Sequence, residues 1–263
     1  HDALPIWVRV FYATVVFAVI YWVLYPAWPV GDSYTKGMLD YSKRARLDQK
    51  MAAVESGKLY PKRQEALTRI GNMSPAAILK DPELMNFVNS SGKVLFGDNC
   101  APCHGAGGQG VVGHYPNLVD SAWLYGGKPA DIHETIVNGR NGFMPAHKEK
   151  LSREQIQAVA TYVGSLSGQE WADDPAQVEQ GDKLFHGSQA ACFACHGKDA
   201  KGKATLGSPD LTDAIWYYGG DRETVVETIT QGRKGEMPAW EKRLSENEIK
   251  ILTAYVHSLG GGQ

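Results

Sequence analysis

The pentapeptide Cys100-Ala101-Pro102-Cys103-His104 comes back 92 positions later as Cys192-Phe193-Ala194-Cys195-His196. In C-x-x-C-H the two thiols become thioethers to a porphyrin edge, and the adjacent imidazole is then held directly under the iron. All four cysteines of the chain fall inside the two motifs, so no pair is left for a structural disulfide. Two redox C-x-x-C pairs, or a zinc site made from both, would use the same four thiols. Neither explains a histidine after each second cysteine. Two covalently bound haems c are expected, attached at Cys100, Cys103, Cys192 and Cys195, with His104 and His196 as iron ligands.

The repeat extends well beyond the motifs. Trp123-Leu124-Tyr125-Gly126-Gly127 recurs as Trp216-Tyr217-Tyr218-Gly219-Gly220, Gly139-Arg140 as Gly232-Arg233, Met144-Pro145-Ala146 as Met237-Pro238-Ala239, and Tyr162-Val163 as Tyr255-Val256. Two homologous units follow, each of about 80 residues, a size at which an apolar core is marginal and a covalently held macrocycle serves as the staple. The expected fold class is mainly α. A transmembrane anchor occupies residues 1–30, a helical spacer 31–91, a first cytochrome c-type domain 92–168, an acidic linker 169–180 and a second such domain 181–263. The net charge of −2 gives no reason to expect nucleic acid as a partner.

Residues 6–25, IWVRVFYATVVFAVIYWVLY, carry a single charge, Arg9. As a helix they would run about 30 Å, enough to cross a hydrocarbon core. Trp7 and Tyr12 near one end, and Tyr21, Trp22 and Tyr25 near the other, fit interfacial aromatic belts. No charged n-region or small-residue cleavage site is visible, which argues against a cleaved signal peptide. The chain begins at His1, and further residues upstream are expected. The segment after the anchor is basic (Lys36, Lys43, Arg44, Arg46, Lys50), which by the positive-inside tendency would place it in the cytoplasm. Covalent haem c is assembled outside the bacterial inner membrane, and this weighs more: the haem domains are expected in the periplasm. Pro26 and Pro29 end the span. Beyond them the pattern reads as helices over roughly 33–56, 61–70 and 74–90, serving as an amphipathic spacer or a docking surface.

Within each unit a helix is expected to begin near Gly92 or Gly181, bearing Phe96 or Phe185. A final helix bears Tyr162 or Tyr255, and the small and aromatic residues let the two helices cross closely. The carbonyls of Pro116 and Pro209 are placed to accept the second N–H of the proximal histidines. Met144 and Met237 lie 40 and 41 residues after those histidines, each in a glycine-rich loop, and are the candidate sixth ligands. Methionine ligation raises the potential and suits outer-sphere electron transfer, and it closes the iron to oxygen and peroxide. No catalytic residue is assigned. His147 reads as a surface or propionate-side residue, because Trp240 replaces it in the second repeat. Arg140 and Arg233 read as propionate partners or as solvated side chains. Whether each methionine serves its own unit or the loops are exchanged is left open.

The anchor ending in YPAWP, the following YTKGMLDYS, and LFGDNCAPCHG at the first motif closely resemble the membrane-anchored di-haem cytochrome c subunit of the cbb-type, or C-family, haem–copper oxidases. The resemblance covers essentially the whole chain. It implies a bacterial inner-membrane terminal oxidase in which this subunit accepts electrons from a donor cytochrome c and passes them to a mono-haem cytochrome c subunit. Oxygen reduction and proton pumping belong to the catalytic haem–copper subunit. The same resemblance carries the ligand roles onto Cys100, Cys103, His104 and Met144, and onto Cys192, Cys195, His196 and Met237. The alternatives are a membrane-anchored di-haem carrier for another periplasmic dehydrogenase or reductase, and a di-haem peroxidase or gas sensor, against which the paired methionines argue.

Overall fold

A computed structural model describes residues 4–26 and 37–261. The chain divides into two compact units, His1–Glu65 and Ala66–Gln263. In the first unit, helix α1 (Ile6–Leu24) has no buried residue, as expected of a helix whose solvent is lipid. It ends at Tyr25, whose N–H still reaches Tyr21, ahead of Pro26. Pro29, the second expected stop, lies outside the described residues. Helix α2 (Lys43–Glu55) is capped by the Ser42 hydroxyl on the Ala45 N–H at 3.2 Å. The expected helix over 33–56 thus starts ten residues late, and positions 33–36 of it are outside the described residues.

Helix α3 (Pro61–Gly71) is followed by the single turn α4 (Pro75–Ile78) and by α5 (Pro82–Asn99), which Asp81 caps through the N–H groups of Glu83 and Leu84. Here the sequence reading needs correction. A break falls at 79–81, where Pro82 with an Asp cap starts a new helix, and α5 then runs straight past Gly92 to the first motif. Gly92 is mid-helix, not a helix start. The motif itself begins α6 (Ala101–His104), and α7 (Pro129–Asn138), strand β1 (Arg140–Met144) and α8 (Arg153–Leu166) follow. The second repeat copies the order: α9 (Pro175–His186), α10 (Phe193–His196), α11 (Arg222–Gln231), β2 (Arg233–Met237) and α12 (Glu246–Ser258). Gly181 is likewise interior to its helix. The acids of the linker are partly structural, since Asp174 caps α9 through the N–H groups of Ala176 and Gln177.

The packing crosses the repeats. One buried cluster joins Phe96 of α5 and Ile132 and Ile136 of α7 to Ile249, Leu252 and Val256 of α12. Its counterpart joins Phe185 of α9 and Val225 and Ile229 of α11 to Ile156, Val159 and Val163 of α8. The close crossing expected at the glycines is present with exchanged partners. A Cβ on Gly92 would fall 2.7 Å from the Cβ of Tyr255, while one on Gly181 would run into Tyr162 and the Ala158 carbonyl. The aromatic pairs follow suit, Phe96 with Tyr255 at 5.7 Å and Phe185 with Tyr162 at 5.4 Å between centroids.

At the centre, β1 and β2 form an antiparallel pair with Arg140 opposite Met237 and Met144 opposite Arg233. These strands stand where the sequence suggested loops. A third cluster answers the question of the spacer's partner surface for its later part. Ile70, Ile78, Leu84 and Val88 pack with Ile251 and Ala254 of α12. Lys250 of the same helix donates to the Gly71 carbonyl at 2.8 Å, at the C-terminal end of α3 where orphan carbonyls and the helix dipole both favour a cation.

Candidate haem-binding sites

Both motifs form one turn of helix, so the cysteines and the histidine are held on a short rigid element. The Nδ1 of His104 lies 3.0 Å from the Pro116 carbonyl, and the Nδ1 of His196 lies 3.3 Å from the Pro209 carbonyl. A carbonyl only accepts, so in each ring Nδ1 carries the proton and Nε2 keeps its lone pair for a metal. Burial, the larger effect, lowers both imidazole pKa values, opposed by the proline carbonyls; for His196 the proximity of His147 lowers it further. Both rings are therefore biased towards the neutral, ligating form.

Cys100 and Cys192 are not poised as thiolates. Burial, and then the neighbouring Cys103, pushes Cys100 up to about 11, and burial with Cys195 does the same to Cys192, at about 11. A raised pKa at Cys100 and Cys192 is opposite to the lowered value of a reactive redox thiol. Among the described residues no three His, Cys, Asp or Glu side chains converge on one point, and the two thiol pairs adjoin different buried clusters. The residues present do fit a porphyrin. Each thiol-bearing turn borders an apolar cluster, and the Nε1 of Trp216 and the Nδ1 of His147 are buried without a partner beside the second one, ready for the polar edge of a largely apolar ligand.

Met144 and Met237 are half-buried at the ends of the two strands. Met144 packs against the cluster that borders Cys192 and Phe193, and Met237 against the cluster that borders Cys100 and Ala101. His147 is not the surface residue that one of its two readings made it. It is 6% exposed, its N–H is bonded to Ile229 of α11 at 3.0 Å, and its Nε2 lies 3.4 Å from the Ala190 carbonyl. The repeat held the signal, because its counterpart Trp240 is also turned inward and makes the matching bond to Ile136 of α7 at 3.0 Å. The arginines are not free in solvent either. Arg140 lies over the Tyr125 ring at 4.8 Å and donates from Nε to Thr135, and Arg233 lies over Tyr218 at 4.5 Å and donates to Thr228.

The family model described as cytochrome c oxidase, cbb3-type, subunit III matches residues 88–163 and again 176–256, once over each motif. The chain belongs to this subunit III family. A second model, the N-terminal domain of cytochrome oxidase-cbb3 FixP, matches residues 2–32, over the anchor helix. Relatives include the cbb3-type cytochrome c oxidase subunit FixP of Azorhizobium caulinodans, 46% identical over 98% of this chain and 87% of its own length. The subunit CcoP of Azospirillum sp. is 43% identical over 98% of this chain and 89% of its own length, and that of Cereibacter sphaeroides is 40% identical over the same shares. Membership of subunit III makes this chain an electron-transfer subunit of a cbb3-type oxidase, with haem c binding and other oxidase subunits implied. The apolar helix α1 fits membrane anchoring.

Proposed function

We propose that the chain carries two haems c, covalently bound at Cys100 and Cys103 and at Cys192 and Cys195. His104 and His196, with Met144 and Met237, would hold the irons. The observation that carries this reading is the pair of proline carbonyls that fix both histidines in the tautomer with Nε2 free. When bound, the haems supply one-electron chemistry at the raised potential of His/Met ligation. The chain's own residues do the rest. Pro116 and Pro209 orient the imidazoles, the loops bearing Met144 and Met237 would supply thioether ligands, and the apolar clusters would exclude water from the bound group.

In this reading electrons enter from a donor cytochrome c and leave to the mono-haem cytochrome c subunit, and from there to the catalytic haem–copper subunit. The chain is anchored in the bacterial inner membrane by α1, with its N-terminus in the cytoplasm and the haem-bearing unit in the periplasm. Two near-copies on one tether serve as successive steps. Abolishing attachment at Cys192 and Cys195 in the assembled complex is expected to lower donor oxidation by well over half, with an artificial donor to the core affected far less. Retention of about half the physiological rate in that variant, and in the Cys100/Cys103 variant, would instead mean two independent entry points.

A further inference from the structure

We infer that helix α2 lies on the membrane surface beside the anchor, held there by the phosphates of anionic phospholipids and by a short apolar stripe. The inference rests on the reading of α1 as the membrane anchor and adds a second, peripheral contact with the bilayer.

The segment leading into α2 is bonded to the C-terminal end of α1. The Met38 N–H donates to the Val23 carbonyl at 2.9 Å and the Leu39 N–H to the Leu24 carbonyl at 3.1 Å, which satisfies two carbonyls that the helix end leaves without an internal partner. Gly37 admits this approach, since at its φ of +65° a Cβ would fall 2.6 Å from the Leu24 carbonyl oxygen. Tyr41 then meets the Tyr25 ring edge-on at 5.7 Å, and Tyr25 stacks on Tyr21 at 4.9 Å. Tyrosines at the end of a bilayer-length helix sit at headgroup depth. Ser42, the cap of α2, follows Tyr41 directly, so α2 starts at that depth.

The side chains of α2 suit such a surface. Leu47, Met51 and Val54 recur at steps of four and three and share one stripe of the helix, with Leu47 and Met51 57% and 50% exposed. Lys43, Lys50 and then Arg46 lie along one side of the stripe, and Arg44 along the other. Among the described residues none of these four cations is in an ion pair. An apolar protein surface would have to bury the charges that flank Leu47 and Met51. An anionic lipid surface accepts both parts, the stems along the acyl boundary and the charged ends at phosphate. Met38 and Leu39, both exposed beside the end of α1, extend the apolar contact. The basic run after the anchor, which the positive-inside tendency leaves unexplained, thereby has a use at the surface where it stands.

Each cation close to an anionic surface strengthens binding roughly fivefold, so Lys43, Arg46 and Lys50 together contribute on the order of 100-fold, most of it removed by salt. The contact is peripheral, and without α1 salt alone releases it.

The test uses the full chain with its haems in lipid nanodiscs, free of other subunits, and reads amide hydrogen exchange over residues 43–55 by mass spectrometry. Discs of phosphatidylcholine are compared with discs that also contain phosphatidylglycerol. Exchange in α2 is expected to slow by at least about tenfold in the anionic discs and to return to the phosphatidylcholine rate at high salt. In the triple variant Lys43→Gln, Arg46→Gln, Lys50→Gln it should be fast in both. The lipid and salt comparisons use the unaltered chain, so they stand even if the variant fails to fold. Equal exchange in the two discs would overturn the inference, and slow exchange over residues 6–24 in the same samples would show the anchor reading intact. Slowing that persists at high salt would remove the phosphates from the contact and overturn it. Slowing that ignores lipid composition and occurs only in the assembled oxidase would mean that a protein subunit covers this face, and would overturn it equally.

Discussion

Gly92 and Gly97 lie on one helix and differ in what faces them. A Cβ at Gly92 would fall 2.7 Å from the Cβ and 2.8 Å from the Cγ of Tyr255, whereas nothing lies within 4 Å of a Cβ at Gly97. Replacing either by alanine in mid-helix gains roughly 0.5–1 kcal/mol by restricting the unfolded chain. That gain is common to both and cancels in the comparison. At Gly92 the root of the tyrosine side chain cannot swing away, so α5 and α12 must separate, and overpacking of this kind costs about 1–3 kcal/mol. Taking about 2 kcal/mol, and about 2–4 °C per kcal/mol for a unit of this size, Gly92→Ala should melt about 4–8 °C below Gly97→Ala. Thermal unfolding followed by circular dichroism measures the difference. The partner is checked by a double-mutant cycle: Gly92→Ala should couple to Tyr255→Ala by more than about 0.5 kcal/mol and add simply to Tyr162→Ala. Equal melting points for the two glycine variants, or coupling to Tyr162 instead, would refute the crossed packing.

A chain beginning at residue 37 should be recovered without detergent and with both haems attached, because α1 is the one bilayer-length apolar helix among the described residues; its sedimentation with lipid in the absence of other subunits would show that α2 or α3 binds membrane. Tyr217→Phe removes the hydroxyl that donates to the Ala122 carbonyl at 2.7 Å, and should cost about 1–3 kcal/mol in chemical denaturation. His186 has acceptors on both ring nitrogens, the Lys198 carbonyl at 2.9 Å and Asp182 at 2.9 Å, and the carbonyl first, with Asp182 adding, raises its pKa. The folded state therefore holds this proton more tightly than the unfolded one, so the contribution is full below about pH 6.5 and fades as pH rises through the higher folded value. Denaturation midpoints across that window should fall with pH in the wild type and flatten in His186→Gln.

Much of this molecule was legible from its residues. The four cysteines, the two following histidines, the proline carbonyls and the apolar run at the N-terminus each carry a local signature, and each element lies where that signature puts it. What sequence pattern does not carry is partnership. Phe96 wants a small-aromatic crossing, and Tyr162 and Tyr255 offer the same surface, since the repeat makes them equivalent in type. Only tertiary packing breaks the tie, and it favours the distant one. The strands were missed for a related reason: Arg140–Met144 and Arg233–Met237 are glycine-bearing segments with no alternating apolar face, and they become strands because each finds the other. The helix start expected near 92 was misplaced because Pro82 with its Asp81 cap, the actual start, was read as interior to a helix over 74–90, whereas the close crossing expected at the glycine is present.

The position of α12 also sets a timetable. The cluster beside Cys100 is closed by Ile249, Leu252 and Val256, so it stays open until the chain has emerged at least to that helix. A newly made chain therefore presents its first C-x-x-C-H turn, accessible and unpacked, throughout the synthesis of the second. The cluster beside Cys192 needs only α8, which has already emerged, and is completed as soon as α11 follows. The site encoded first is thus the last to lock, leaving the longer interval for ligation at the motif that appears earlier.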